Sequence, residues 1–295
     1  MTSYFKLVSR PLVLSAILVV LALPAAAQEI AGVTHGDAVY AHLFDVDGEA
    51  PIAPSHLTAA SMQNPQQKPP EPHHTGFQAL VRSTAADFNA FPRRQSTWVI
   101  LGIGGLAAGL AHPADDNLNV HLQGSGAGKA FKLGKYLGYG WVQAGAAAGT
   151  YLIGRAQGKK PNGEPNKLAH IGFDLVRANL LTQTMTYGVK KTFRRDRPTG
   201  ECCSFPSGHA SVTFAAASVL ERHFGYRNAW PTFLIASYVA ASRLHEDKHF
   251  ASDVIFGSAL GMTCGWTVVG RHGRDQFALL PVKTRGGVMI ALTKN

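Results

Sequence analysis

From Ser96 to about residue 270 the chain is a succession of apolar segments. Each is long enough for several helical turns and each ends in a polar or Pro/Gly-rich loop. The spacing predicts helices near 97–111, 133–156, 167–191, 208–224, 230–244 and 249–270, with loops at "HPADDN", "GKKPNGEPN" and "DRPTGECCSFPSG". No stretch in this region alternates apolar and polar residues with the period of a half-buried strand. The expected fold class is therefore all-α, a helical bundle of about six core helices. The runs "GIGGLAAGLAH" and "GAAAGTY" read as close helix packing rather than as nucleotide loops. The tail at 273–295, "FALLPVKTRGGVMIALTKN" in its main part, has β character on both sides of a Gly-Gly turn and predicts a short hairpin.

The N-terminus reads as a targeting segment. Lys6 and Arg10 precede the apolar run from Pro11 to Leu23, and Ala25, Ala26 and Ala27 supply a small-residue cleavage site. The apolar run is too short for a comfortable membrane span, so residues 1–27 are expected to be a signal peptide. The mature chain is then periplasmic or secreted, with an uncleaved or integral membrane form as the alternative. Residues 28–95 are rich in Pro, Gln and His, as in "NPQQKPPEPHH", and predict a mostly irregular leader with one short helix at Phe77 to Phe88. "DVDGE" at Asp45 to Glu49 resembles the start of a calcium loop, but the remaining ligand pattern is missing and a turn is expected. The third core helix carries His170, Asp174, Arg177, Asn179 and Gln183, and the fifth is only about fifteen residues long, so the domain at 96–272 is expected to be soluble.

With 28 basic against 18 acidic side chains the formal charge is +10, and signal removal lowers it by two. A basic exported protein is suited to phosphate esters or to peripheral contact with an anionic membrane. No zinc-finger spacing or aromatic-rich basic motif points to nucleic acid. Three cysteines cannot all pair within one chain. Cys264, on a helix beginning near His249, lies about 20 Å along the axis from that helix's start, while Cys202 and Cys203 sit in the loop at that end, so a bridge from Cys264 to either is not expected unless the loop folds down the side; the vicinal pair has no obvious partner, and the sequence leaves the redox state of all three open.

Chemistry-bearing residues gather at helix ends. "KKTFRRDRP" closes the third core helix, with Lys190 seven residues before Arg197 and Pro198 fixing the turn. "PSGH" opens the fourth: Ser207 can cap the helix, Gly208 lets the backbone approach a ligand, and the first helical amides are unpaired donors favouring an anion. "SRLHEDKHFASD" joins the fifth to the sixth and supplies Arg243, His249 and Asp253. In an up-down bundle the ends of helices three and five meet the starts of four and six. A phosphoryl group spreads negative charge over its oxygens during transfer and needs fixed cations and donors around it. Lys190, Arg197, Arg243, Ser207 and the Gly208 amide are of that kind.

This ordered set, K-x6-R-P, P-S-G-H and S-R-x5-H-x3-D, resembles the superfamily of type 2 phosphatidic acid phosphatases, bacterial non-specific acid phosphatases and vanadium haloperoxidases, and departs from its signature at no position. The resemblance covers roughly 96–270, with the motifs at 190–253. It implies that His249 attacks phosphorus, that His209 protonates the leaving alcohol and then activates water, and that Asp253 orients His249. It also implies a metal-independent phosphoric monoester hydrolase acting on a phosphorylated lipid or small molecule, with no cofactor. Vanadate would be the cofactor only in a haloperoxidase. Two further readings compete. "HEDKH" satisfies H-E-x-x-H, which would bind zinc through His245 and His249 with Glu246 as base, although no third ligand is evident. A phosphate-binding envelope protein is the other, but simple binding has no need of both histidines and Asp253.

Overall fold

The computed structural model describes residues 75–122, 128–159, 163, 165–270, 277–284 and 287–294. The expected signal peptide, the calcium-like "DVDGE" and most of the leader lie outside these. Nine α-helices are found among the described residues: α1 Phe77–Ala90, α2 Gln95–Ala111, α3 Asp115–Leu122, α4 Gly128–Leu137, α5 Gly140–Ala156, α6 Lys167–Phe193, α7 Gly208–Phe224, α8 Tyr226–His245 and α9 Ala251–Val268. The tail forms the expected hairpin, β1 Phe277–Thr284 pairing antiparallel with β2 Gly287–Lys294, with Thr284 opposite Gly287.

Several boundaries differ from the sequence reading. The expected helix at 133–156 is two, broken at Gly138 and Tyr139, where Tyr139 takes an extended backbone (φ −65°, ψ 130°). "HPADDN" is not a loop: His112–Ala114 is a 3₁₀ turn leading into α3, whose first turn carries Asp115 and Asp116. Acidic residues favour a helix start by interacting with its dipole. Helix α8 begins at Tyr226, ahead of the expected 230, and holds Pro231 inside its early turns. Helix α9 begins at Ala251, so His249 precedes the helix. The helical body also takes in the end of the expected leader. The Tyr151 hydroxyl and Arg155 Nη1 donate to Thr75 O, and Arg177 of α6 grips Asp87 of α1 through both carboxylate oxygens, at 2.8 and 2.7 Å.

Helix α9 is the axis of the bundle. Nearly all its residues are buried, and it packs on α7, α2 and α6. Its glycines recur every four residues on the face toward α7. A Cβ at Gly257 would stand 2.7 Å from Ser207 O, and one at Gly265 2.6 Å from Ala215 O. Only glycine permits the two backbones to approach so closely. The Ser207 amide accordingly donates to Asp253 O (2.9 Å), which joins the start of α7 to the start of α9.

The expected packing of the Ala/Gly runs is found only in part. In α2 a Cβ at Gly104 would collide with Ala259, whereas Gly102 and Gly109 face open space, as do Gly145 and Gly149 in α5. Trp98, Leu106 and Leu110 of α2 are 60%, 66% and 75% exposed. Gln95–Val120 is the one stretch among the described residues long and apolar enough to cross a membrane, with mean hydropathy 1.3.

At the end of the bundle away from Lys190, polar residues are buried in a paired network. His170 Nε2 (3.2 Å) and His223 Nε2 (2.9 Å) both meet Asp174 Oδ2, and Arg177 Nη1 donates to Asp174 Oδ1 (2.8 Å). Burial alone would raise the Asp174 carboxyl, but the two imidazoles and Arg177 outweigh it and hold the group below its ordinary value.

Candidate active site

Lys190, three residues from the end of α6, reaches across to the following loop, where its Nζ donates to Cys203 O (2.7 Å) and Ser204 O (3.1 Å). Two of its three N–H groups are thus committed to the loop, leaving one for a ligand. Burial, then Arg197, push its ammonium down to about 8. Helix α6 ends because Arg194 turns left-handed (φ 47°), and the loop is closed by Arg197 N to Glu201 O (2.8 Å) and Ser204 N to Arg195 O (2.7 Å). Cys202 and Cys203 in that loop are bonded to each other, and Cys264 is a buried free thiol. Arg197 keeps one weak surface contact, Nη1 to Glu201 (3.3 Å), while its Nε is buried without a partner.

Ser207 is the N-cap of α7, its Oγ accepting from the Ala210 amide at 3.5 Å. His209 lies in the first turn that follows. The break between α4 and α5 holds it: a Cβ at Gly138 would stand 2.5 Å from its Cδ2, the Tyr139 ring lies 5.2 Å away between centroids, and the imidazole bonds the Lys135 backbone carbonyl. That bond occupies Nδ1, since Nε2 is the buried ring nitrogen without a partner. Burial, then Arg243 and His249, push His209 down to about 3. Arg243, near the end of α8, has its Nη1 2.9 Å from Glu246 Oε2, an ionic contact without the angle of a directed hydrogen bond, and its Nε is buried and unpartnered.

His249 is almost fully buried ahead of α9. Burial pushes its imidazole down to about 4, Lys190 and Arg197 push the same way, and Asp253 opposes them. Its Nδ1 lies 3.7 Å from Asp253 Oδ2, beyond hydrogen-bond length but with no other polar group claiming it. Asp253 accepts from the Phe250 amide (2.9 Å) and the Ser204 hydroxyl. Burial works to raise its carboxyl, but His249, Ser204 and Phe250 stabilise the anion and hold it low. Mutual electrostatic influence links Lys190, Arg197, His209, Arg243, His249 and Asp253. Ser207 joins them through its amide, which donates to Asp253 O (2.9 Å), and Gly208 because a Cβ there would lie 3.9 Å from Lys190 Cε, so the eight residues singled out in the sequence meet at one end of the bundle.

The sequence reading missed the parts that hold these groups. Lys135, Gly138 and Tyr139 lie inside what reads as one continuous helix. Arg195 is one of several neighbouring basic residues, and Asp115 looks like a loop residue. The H-E-x-x-H reading fails on geometry. Helix α8 ends at His245, Glu246 is its C-cap paired with Arg243, and His249 follows a turn in which Asp247 has φ 54°, so the two histidines do not share a helical face.

Residues 171–276 match the PAP2 superfamily. The chain carries a PAP2 superfamily domain. Among curated relatives, the lipid A 1-phosphatase of Porphyromonas gingivalis is 38% identical over 80 residues, covering 26% of this chain and 18% of that protein. The decaprenylphosphoryl-5-phosphoribose phosphatase of Mycobacterium tuberculosis is 37% identical over 100 residues, 30% of this chain and 55% of the relative. The lipid A 4'-phosphatase of Helicobacter pylori is 27% identical over 120 residues, 37% and 61%. The chain thus spans less than two thirds of each of these relatives. Of solved structures, Aquifex aeolicus LpxE overlays with a TM-score of 0.43 at 21% identity, covering 52% of this chain and 93% of that one.

Proposed function

We propose that this PAP2 chain is a membrane-associated phosphatase that hydrolyses phosphate monoesters, lipid phosphates in particular, through a phosphohistidine on His249. One observation carries the reading. Three basic side chains surround two histidines held neutral by burial and positive charge, and Arg197 and Arg243 each keep a buried Nε donor unpaired. Buried donors left unpaired in a positive field favour an anion with several acceptor oxygens.

In the proposed cycle Asp253 keeps the His249 proton on Nδ1, leaving the Nε2 lone pair to attack phosphorus. The P–O bond to the alcohol breaks as N–P forms, and His209, which takes up a proton from solvent when the phosphoryl anion is seated beside it, gives its Nε2 proton to the departing oxygen. Neutral His209 then takes a proton from water, whose oxygen attacks phosphorus. The N–P bond breaks, inorganic phosphate leaves, and His249 is regenerated. Arg197, Arg243, Lys190, Ser207 and the Gly208 amide stabilise the charge on the equatorial oxygens. Catalysis without a metal is part of this proposal, because these donors supply the electrostatic stabilisation.

The lipid class rests on two supports. Relatives bear the names lipid A phosphatase and decaprenylphosphoryl-5-phosphoribose phosphatase. The open apolar face of α2 leads through Pro113 directly to Asp115, which touches the start of α9 at the site. A phosphate headgroup would reach the cluster while its chains stay against that face in the bilayer. With the signal-like N-terminus, the proposed location is the outer side of the cytoplasmic membrane. The test is purified full-length protein assayed on p-nitrophenyl phosphate and on phosphatidate in vesicles, with and without chelator and vanadate. Turnover that survives chelator, falls with vanadate and disappears in His249→Ala is expected. Loss of all turnover on chelation would overturn the metal-independent mechanism.

A further inference from the structure

Beyond the eight signature residues, a chain of alternating charges runs into the back of Asp253. Arg195 Nη1 donates to Asp253 Oδ1 (2.9 Å) and to Ser252 Oγ (2.7 Å), while its Nη2 donates to Asp115 Oδ2 (2.9 Å) and meets His112 Nδ1 (3.2 Å). Its guanidinium carbon lies 4.0 Å from the Phe250 ring centroid. Asp115 is itself buried. Its Oδ1 accepts from the Ser252 amide (3.0 Å) and its Oδ2 from the Ser252 hydroxyl (2.5 Å). Asp115 therefore caps the first turn of α9 from another helix, and the same carboxylate anchors the arginine that grips Asp253.

We propose that Arg195 and Asp115 are positioning residues for the nucleophile: together they fix the rotation of the Asp253 carboxylate, and through it the ring orientation and tautomer of His249. The inference rests on the phosphohistidine reading. Asp253 has two oxygens with separate duties. Oδ1 is held by Arg195, which leaves Oδ2 to accept from Phe250 and Ser204 and to face His249 Nδ1. Without Arg195 the carboxylate keeps only the Phe250 and Ser204 bonds on Oδ2, its Oδ1 is unanchored, and the orientation of His249 is less closely fixed. A guanidinium suits this duty because its planar fork binds two acceptors in a fixed relation, which an ammonium cannot do.

The arrangement has an electrostatic consequence that a purely structural clamp would lack. The charges facing His249 are Asp253 from α9, Lys190 from α6, Arg197 from the loop and His209 from α7, with Arg243 of α8 facing His209. Arg195 offsets part of the Asp253 charge, and Asp115 in turn offsets part of Arg195. Removing Arg195 strengthens the hold of Asp253 on a protonated His249. Removing the Asp115 charge does the reverse.

The experiment is the pH dependence of kcat/KM on p-nitrophenyl phosphate, whose leaving group needs no protonation, so that the acidic limb follows the nucleophile. The substrate's own ionisation is common to all variants. For Arg195→Gln the expected result is a kcat lower by about 10- to 100-fold and an acidic limb moved upward by about one pH unit. Arg195→Lys should keep the wild-type limb but regain only part of the rate, and the isosteric Asp115→Asn should move the limb downward. If Arg195→Gln fails to fold, Arg195→Lys and Asp115→Asn carry the same test. Limbs unmoved in folded Arg195→Gln and Asp115→Asn, or wild-type rates in Arg195→Lys and Asp115→Asn, would overturn the inference. Activity surviving in His249→Ala would instead overturn the phosphohistidine reading beneath it.

Discussion

The proposed cycle requires His209 to change its proton affinity when substrate arrives. In the free protein burial, Arg243 and His249 push the imidazole down to about 3, so at neutral pH it carries no proton to give. A phosphoryl anion seated among Lys190, Arg197 and Arg243 opposes the positive field at that ring. One negative charge at about 5 Å contributes about 3 kcal/mol at an effective dielectric of about 20, equal to about two pKa units. Negative charge favours the protonated ring, so a dianion raises His209 by about four units, into the range where a general acid works near neutral pH. Histidine NMR titrations with and without orthovanadate, with the resonance assigned by its loss in His209→Gln, measure this directly. A His209 midpoint that stays low or falls further with vanadate bound would refute the reasoning, because no anion would then lie beside that ring.

Three other outcomes are expected. Arg197→Lys and Arg243→Lys keep the charge but lose the fork, so steady-state kinetics should show each losing about 2–4 kcal/mol of transition-state stabilisation, roughly 30- to 1,000-fold in rate; near-normal turnover in both would place these arginines outside the site. Gly261→Val forces a side chain into the Ser211 carbonyl and should cost about 1–3 kcal/mol in urea unfolding, an unchanged midpoint showing that α7 and α9 are not so closely apposed. The Asp174 carboxyl is held below its ordinary 3.8 in the folded protein, so its contribution to stability is present above about pH 4 and lost as pH falls through the lower folded value. Asp174→Asn should flatten that acid limb in urea unfolding measured against pH, and a limb as steep as in the wild type would contradict the assignment.

The sequence carried the elements that bury a continuous apolar stripe and the residues that meet at helix ends. Helices α6 and α7 start within a residue of their expected positions because Asn166 and Ser207 are N-caps recognisable by type, each accepting from an amide three residues on. The α4–α5 break was hidden because apolar periodicity runs on through Gly138 and Tyr139. What interrupts the helix is tertiary, the imidazole of His209 filling the space a side chain would need. Asp115 and Arg195 were unreadable for a related reason. A buried acid and a half-buried base identify themselves only by their partners, and these lie 137 and 58 residues away in sequence. A four-residue spacing from His249 to Asp253 suits a helix, which is why the sequence predicts His249 as the first residue of α9. In the fold, that spacing spans the helix start, where Asp253 also accepts from the Phe250 amide. The unburied face of α2 escaped the sequence reading because small residues signal close packing and open space alike.

The central claim is the covalent bond between phosphorus and His249. Purified protein mixed with radiolabelled phosphatidate in vesicles and quenched within milliseconds in alkaline denaturant, which preserves the acid-labile N–P bond, should yield labelled protein whose single modified peptide contains His249. The label should be absent in His249→Ala and should accumulate in His209→Ala given an activated aryl phosphate, since the loss of His209 slows the attack of water more than the first step. Phosphate released at a normal rate with no label on the protein, or label found on a peptide other than that of His249, would contradict the account.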